Sequence, residues 1–286
     1  MKSKILAILE ILLVYVAIQI IGILRRSTGM VQWEVQNLGW SYTGMLVFIG
    51  IPALLIWLTR RKWSDYGVSL ANWRTNLDLG IKAYLVRFIP LLLGLGGATM
   101  IGLDNLKITG GAFVALFELI GLAVMIWVII RQKPVKSGRN NLITILLLLL
   151  FPILVALAVG KLTVLVVSTV IWQFIFSGFG EEFVWRGYVQ SRLNQAFERP
   201  YQLFGIQFGP GLIITSLLFG LLHAFNTYDP AIGFASLSWG WALWTFVAAL
   251  TFGVLREKTG TLVAPGITHG LPDAVGEGLN VIFGWM

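Results

Sequence analysis

Gly180-Glu181-Glu182-Phe183-Val184-Trp185-Arg186-Gly187 closes an apolar run that begins near residue 162. Two adjacent carboxylates and a guanidinium at the end of about twenty hydrocarbon-soluble residues are costly, and ionisable groups inside a membrane segment mark functional sites. On a helix, consecutive glutamates point ~100° apart, so both cannot avoid lipid unless other helices cover them. Glu182 and Arg186 stand at i, i+4, the spacing of an ion pair on one helix face. Glu181 is left without a charged partner on its own helix.

The rest of the chain gives that run its setting. Hydrophobic residues make up 57% of 286 positions and charged residues only 12%, about half the share of a soluble domain. With a mean hydropathy of +0.82, this is an integral membrane protein. The net charge of +8 comes from Lys and Arg scattered between apolar runs, a topology signal rather than a nucleic-acid surface. The absence of cysteine excludes disulfides, thiolate nucleophiles and Cys-held metals. The two histidines, His223 and His269, lie 46 residues apart, which excludes an H-E-x-x-H zinc helix. Gly-x-Ser-Gly and Gly-x-Gly-Asp motifs are also missing.

Apolar segments fall at about 5–24, 43–59, 79–103, 112–130, 142–160, 162–180, 209–225, 235–255 and 261–284. Backbone in lipid must satisfy its own hydrogen bonds, so these segments are helices. The expected fold is all-α: a polytopic transmembrane bundle of about eight spanning helices in a single membrane domain, residues 1–286. The last segment, Gly-rich and carrying His269, Asp273 and Glu277, reads as a helix buried in protein rather than facing lipid. The first begins like a signal peptide but lacks a small-x-small cleavage site, and reads as a retained anchor. The polar stretch from Trp63 to Asp78 reads as a short interfacial element. An N-terminus in the cytoplasm puts 16 Lys and Arg on that side against 4 on the other, with Arg87 inside a span, and the positive-inside rule favours it. Glu10 and Glu118 each stand alone in an apolar span and read as protonated or bonded to a neighbouring helix. Arg87 either snorkels or pairs with one of them.

His223 ends an apolar helix in Phe219-Gly220-Leu221-Leu222-His223. His269 and Asp273 repeat the i, i+4 spacing in His269-Gly270-Leu271-Pro272-Asp273. Polar residues on separate membrane helices can converge only in the bundle interior. A carboxylate with imidazoles there can activate water and stabilise an oxyanion. The same Glu181, His223 and His269 can equally hold a divalent metal such as zinc. As a third alternative, the groups form a proton or ion relay in a non-catalytic transporter or scaffold. Pro272 removes a backbone donor, so a kink or a helix start is expected there, and contact between His269 and Asp273 is not assured.

Glu181-Glu182-x-x-x-Arg186, Phe219-x-x-x-His223 and His269-x-x-x-Asp273, in that order, resemble the three motifs of the CPBP intramembrane proteases, relatives of the CAAX prenyl endopeptidase also called the ABI family. The resemblance covers about residues 160–284, the expected catalytic helices. It implies an intramembrane endopeptidase in which Glu181 and His223 activate the attacking water. Glu182 and Arg186 form a supporting ion pair, and His269 and Asp273 stabilise the oxyanion. The family's third motif often ends in Asn. Asp273 can donate only when protonated, and otherwise orients His269. Members are labelled metalloproteases, yet a metal-free glutamate-activated water is also argued for them. The implied partners are the lipid bilayer and a peptide or membrane-protein substrate, with no nucleic acid. The implied location is the bacterial plasma membrane, where cleavage of a peptide or another membrane protein fits better than CAAX processing. For Glu181 to meet His223, which lies about 21 Å along its helix from Pro210, the glutamate helix must continue to about Arg192.

Overall fold

The structure, a computed structural model, describes residues 2–284. The chain is an all-α bundle. Helices α1 (Lys2–Arg26), α2 (Met30–Leu38), α3 (Tyr42–Leu58), α4 (Trp73–Met100), α5 (Ile108–Arg131) and α6 (Arg139–Ala158) lead into a continuous 34-residue helix, Val164–Phe197. That helix consists of α7 (Val164–Ile171), π-helical segments over Trp172–Glu181 and Phe183–Gln190, and α8 (Ser191–Phe197). A short antiparallel hairpin, β1 (Tyr201–Leu203) with β2 (Ile206–Phe208), precedes α9 (Pro210–Ala224), α10 (Trp239–Thr259) and α11 (Val263–Phe283).

Among the described residues, six helices are long and apolar enough to cross a membrane, or seven if α2 and α3, bent by 118°, form one span. α10 and α11, at 21 residues each, are of spanning length but more polar. The expected eight counted α3 and α10 and left out α11 as buried in protein; of those eight, six pass alone and α3 passes only as a bent pair with α2. The outer surface is hydrocarbon: Leu6, Leu13, Ile23 and Leu24 of α1 are each more than 60% exposed. An apolar surface of that extent is at home in a bilayer, and the protein is an integral membrane protein.

The observed helices track the apolar segments closely. Two short elements were not legible in hydropathy: α2, and the hairpin over residues 201–208. The polar stretch after α3 forms a single 3-10 turn, Trp63–Tyr66, and its last residues belong to α4, which begins at Trp73. The glutamate helix passes Arg192 and ends at Phe197, as a shared site required.

α11 packs against the first π-helical segment and against α4. Glycines set that approach. A Cβ on Gly178 would lie 2.5 Å from the Gly270 Cα, and one on Gly270 would lie 2.8 Å from the Phe174 carbonyl oxygen. Gly266 and Gly270 form a small-xxx-small pair on α11, the pattern that lets membrane helices meet backbone to backbone. Hydrophobic side chains gain little from association inside lipid, so this close packing does much of the joining.

Pro272 does not break α11. The helix runs from Val263 to Phe283 with Pro272 inside it, which corrects the expectation that a helix starts there. Buried proline is tolerated in a membrane helix when neighbouring elements hold the segment, and α11 is enclosed over most of its length.

Candidate active site

Three helices bring the expected residues to one place. Glu181 lies 16 residues before the end of its helix at Phe197, and His223 lies 13 residues after the start of α9 at Pro210. At 1.5 Å per residue these are depths of ~24 and ~20 Å from the same end of the bundle. Glu181, His223, His269 and Asp273 line a single cavity of about 350 Å³.

Glu182 and Arg186 sit beneath it, both fully buried. Arg186 Nη1 donates to Glu182 Oε1 at 2.9 Å, and Nη2 donates to the Ala249 carbonyl at 3.1 Å. The same Glu182 oxygen meets His269 Nδ1 at 2.9 Å. The spacing of Glu182 and Arg186 announced their pairing. The link from Glu182 to His269, across 87 residues, was not announced. A carboxylate only accepts, so His269 carries a hydrogen on Nδ1. His269 Nε2 lies 3.5 Å from Asp273 Oδ2, so the i, i+4 contact that Pro272 put in question is present.

His223 Nδ1 lies 2.8 Å from the Phe219 carbonyl. The carbonyl accepts, which places the hydrogen on Nδ1 and leaves Nε2 with its lone pair when the ring is neutral. Glu181, half-buried, receives from the described residues only a long hydrogen bond, 3.5 Å, from Ser177 Oγ. Ser177 also reaches Asp273 Oδ2 at 3.4 Å.

Several residues of the site had weak or no sequence signal. Ser177 and Glu277 line the cavity at four residues from Glu181 and Asp273, so helical spacing could have found both. Phe252 could not have been found that way. Its ring stacks on His269 at 4.7 Å and 14°, with the guanidiniums of Arg87 and Arg186 each 5.0 Å from its centroid. Such contacts keep buried cations over a ring face. Arg87, also on the cavity wall, lies 3.2 Å from Glu118, which resolves the pairing of those two lone charges.

The metal alternative does not fit this arrangement. Among the described residues no group of three or more His, Asp or Glu side chains is placed to hold one ion.

Fold and site together define a polytopic helical membrane protein with a buried acid–base cavity. Residues 144–275, just under half of the chain, match the family model described as type II CAAX prenyl endopeptidase Rce1-like, a match that supports likeness to the CPBP family of CAAX-type endopeptidases. No curated protein and no solved structure matches the chain.

Proposed function

We propose that the protein hydrolyses peptide bonds of a membrane-associated peptide or protein, with a water activated by Glu181 and His223. The observation that carries this reading is the shared cavity, lined both by a carboxylate with one weak hydrogen bond and by an imidazole whose Nδ1 is bound to a carbonyl and whose Nε2 is left to accept. A water between them loses a proton to Glu181 or His223 Nε2 as its oxygen attacks the scissile carbonyl carbon. The carbonyl π electrons move to oxygen, and the oxyanion is met by a proton on His269 Nε2 or on a protonated Asp273 carboxyl. Collapse of the tetrahedral intermediate breaks the C–N bond. The proton taken from water passes to the leaving amine, which restores the site. Glu182 and Arg186 act one step back. The ion pair holds Nδ1 of His269 and so aims its other nitrogen, the part a hydrogen-bonded carboxylate plays for any working histidine.

The test is cleavage of a peptide library by the full chain in detergent. Wild type releases new amino termini, and Glu181→Gln, which keeps shape and removes the base, does not. Equal turnover by the two proteins overturns the assignment. The transporter reading predicts no cleavage by either, with proton or ion flux in liposomes instead.

A further inference from the structure

Toward the other end of α10 lies a second cavity, of about 720 Å³, between the turn after α3, the end of the glutamate helix and the α10–α11 junction. Its wall carries Arg60, Arg61, Lys62, Arg199 and Arg256 against one carboxylate, Asp65. Two of these cations are answered elsewhere: Arg61 by Glu10 at 2.6 Å, and Arg199 by Glu257 at 2.5 Å. Among the described residues, Arg60, Lys62 and Arg256 have no acidic side chain at ion-pair distance. Three positive charges therefore stand against one negative.

Arg256 shows that this is a built site. It is 5% exposed. Its Nη2 donates to the Asp65 carbonyl at 3.1 Å and to Ser191 Oγ at 3.2 Å, while Nε has no partner. The Glu257 and Asp65 carboxylates lie near it but beyond ion-pair distance, so a guanidinium removed from water lacks a counter-ion in contact, and an anion in the adjoining cavity offsets that cost. The turn that supplies the other charges is held in an uncommon conformation. Arg60 has φ +53°, a region that side-chain-bearing residues seldom occupy and that tends to persist where function requires it. Backbone bonds fix it there, from Arg60 N to Trp57 O and from Arg61 N to Ile56 O, each 3.0 Å. Trp57 and Trp63, exposed on either side of the turn, mark headgroup depth in a bilayer.

We propose that this cavity binds a phosphate group, carried by an anionic lipid headgroup or free in solution. Guanidiniums recognise phosphate oxygens by paired, charge-assisted hydrogen bonds. The surplus of two positive charges suits a phosphate monoester better than a single carboxylate. The site is separate from the Glu181 cavity and does not depend on the reaction assigned to it.

The experiment uses the full chain in neutral detergent, with thermal unfolding as the readout. The probes are short-chain phosphatidic acid, the matching diacylglycerol and inorganic phosphate. Phosphatidic acid is expected to raise the midpoint saturably, and diacylglycerol to leave it unmoved. Arg60 and Lys62 are exposed, so Arg60→Gln and Lys62→Gln keep the fold. Each is expected to weaken the phosphatidic acid Kd about fivefold, and the double variant by about 25-fold. Added salt weakens binding further. A saturable shift with phosphatidic acid alone identifies a lipid site, and one with inorganic phosphate identifies a site for the free anion. No saturable shift with either, or an unchanged Kd in the double variant, overturns the proposal.

Discussion

Two glutamates inside this apolar molecule are treated in opposite ways. Glu10, on α1, accepts five hydrogen bonds: two from Arg61 at 2.6 and 2.9 Å, two from Arg192 at 2.9 and 2.8 Å, and one from the Tyr188 hydroxyl at 2.8 Å. Glu181 accepts one, at 3.5 Å. The first arrangement ties α1 to the turn after α3 and to the end of the glutamate helix, and leaves neither oxygen idle. The hydrogen bond to Glu10 raises the Arg61 guanidinium above its already high range, so the ion pair is settled. The second leaves a carboxylate facing a cavity with capacity to spare. A fully satisfied charge is a fastener, while an under-satisfied one beside a free imidazole nitrogen is available for chemistry.

The contrast is open to direct attack, beginning where the effect should be largest. Glu181→Gln is expected to lower kcat by about 10²–10⁴-fold with little change in unfolding temperature. A large loss of stability with activity retained would reverse the roles assigned to the two glutamates. His223→Ala should follow at about 10²-fold or more in kcat, and full activity in that variant removes the imidazole from the mechanism. Gly178→Leu probes the helix approach on which the site rests. Forcing a side chain against the Gly270 backbone is expected to cost about 1–3 kcal/mol and to lower activity by parting Glu182 from His269, read by denaturation and turnover in parallel. Glu10→Gln is the converse of the first variant. It should lower stability by about 2–3 kcal/mol, the range for breaking a partly buried ion-pair cluster, while kcat/KM stays within about twofold. Last, a chelator is expected to leave turnover unchanged, since no three described His, Asp or Glu side chains are placed to hold one ion. Loss on chelation with recovery on adding zinc refutes the metal-free chemistry.

Hydropathy located nine of the helices because burial in lipid is a property of each segment alone. Contacts at i, i+4 were readable for the same reason, and both Glu182–Arg186 and His269–Asp273 are present. The short α2 and the hairpin escaped notice because neither is long or apolar enough to register in a hydropathy window. A helix start at Pro272 was misread because local chemistry argues for a break, while enclosure by neighbouring helices holds α11 together.

The residues of the opening stretch thus determined, from sequence alone, that charge enters the membrane on one helix and that Glu182 belongs to Arg186. Tertiary structure alone decided that the same Glu182 oxygen also holds His269, that Phe252 stacks on that ring, that Arg87 meets Glu118, and that Arg61 and Arg192 close on Glu10. Each of these joins groups on different helices. Their meeting depends on how closely backbones approach, through Gly178 and Gly270 above all, and no spacing along the chain records that distance.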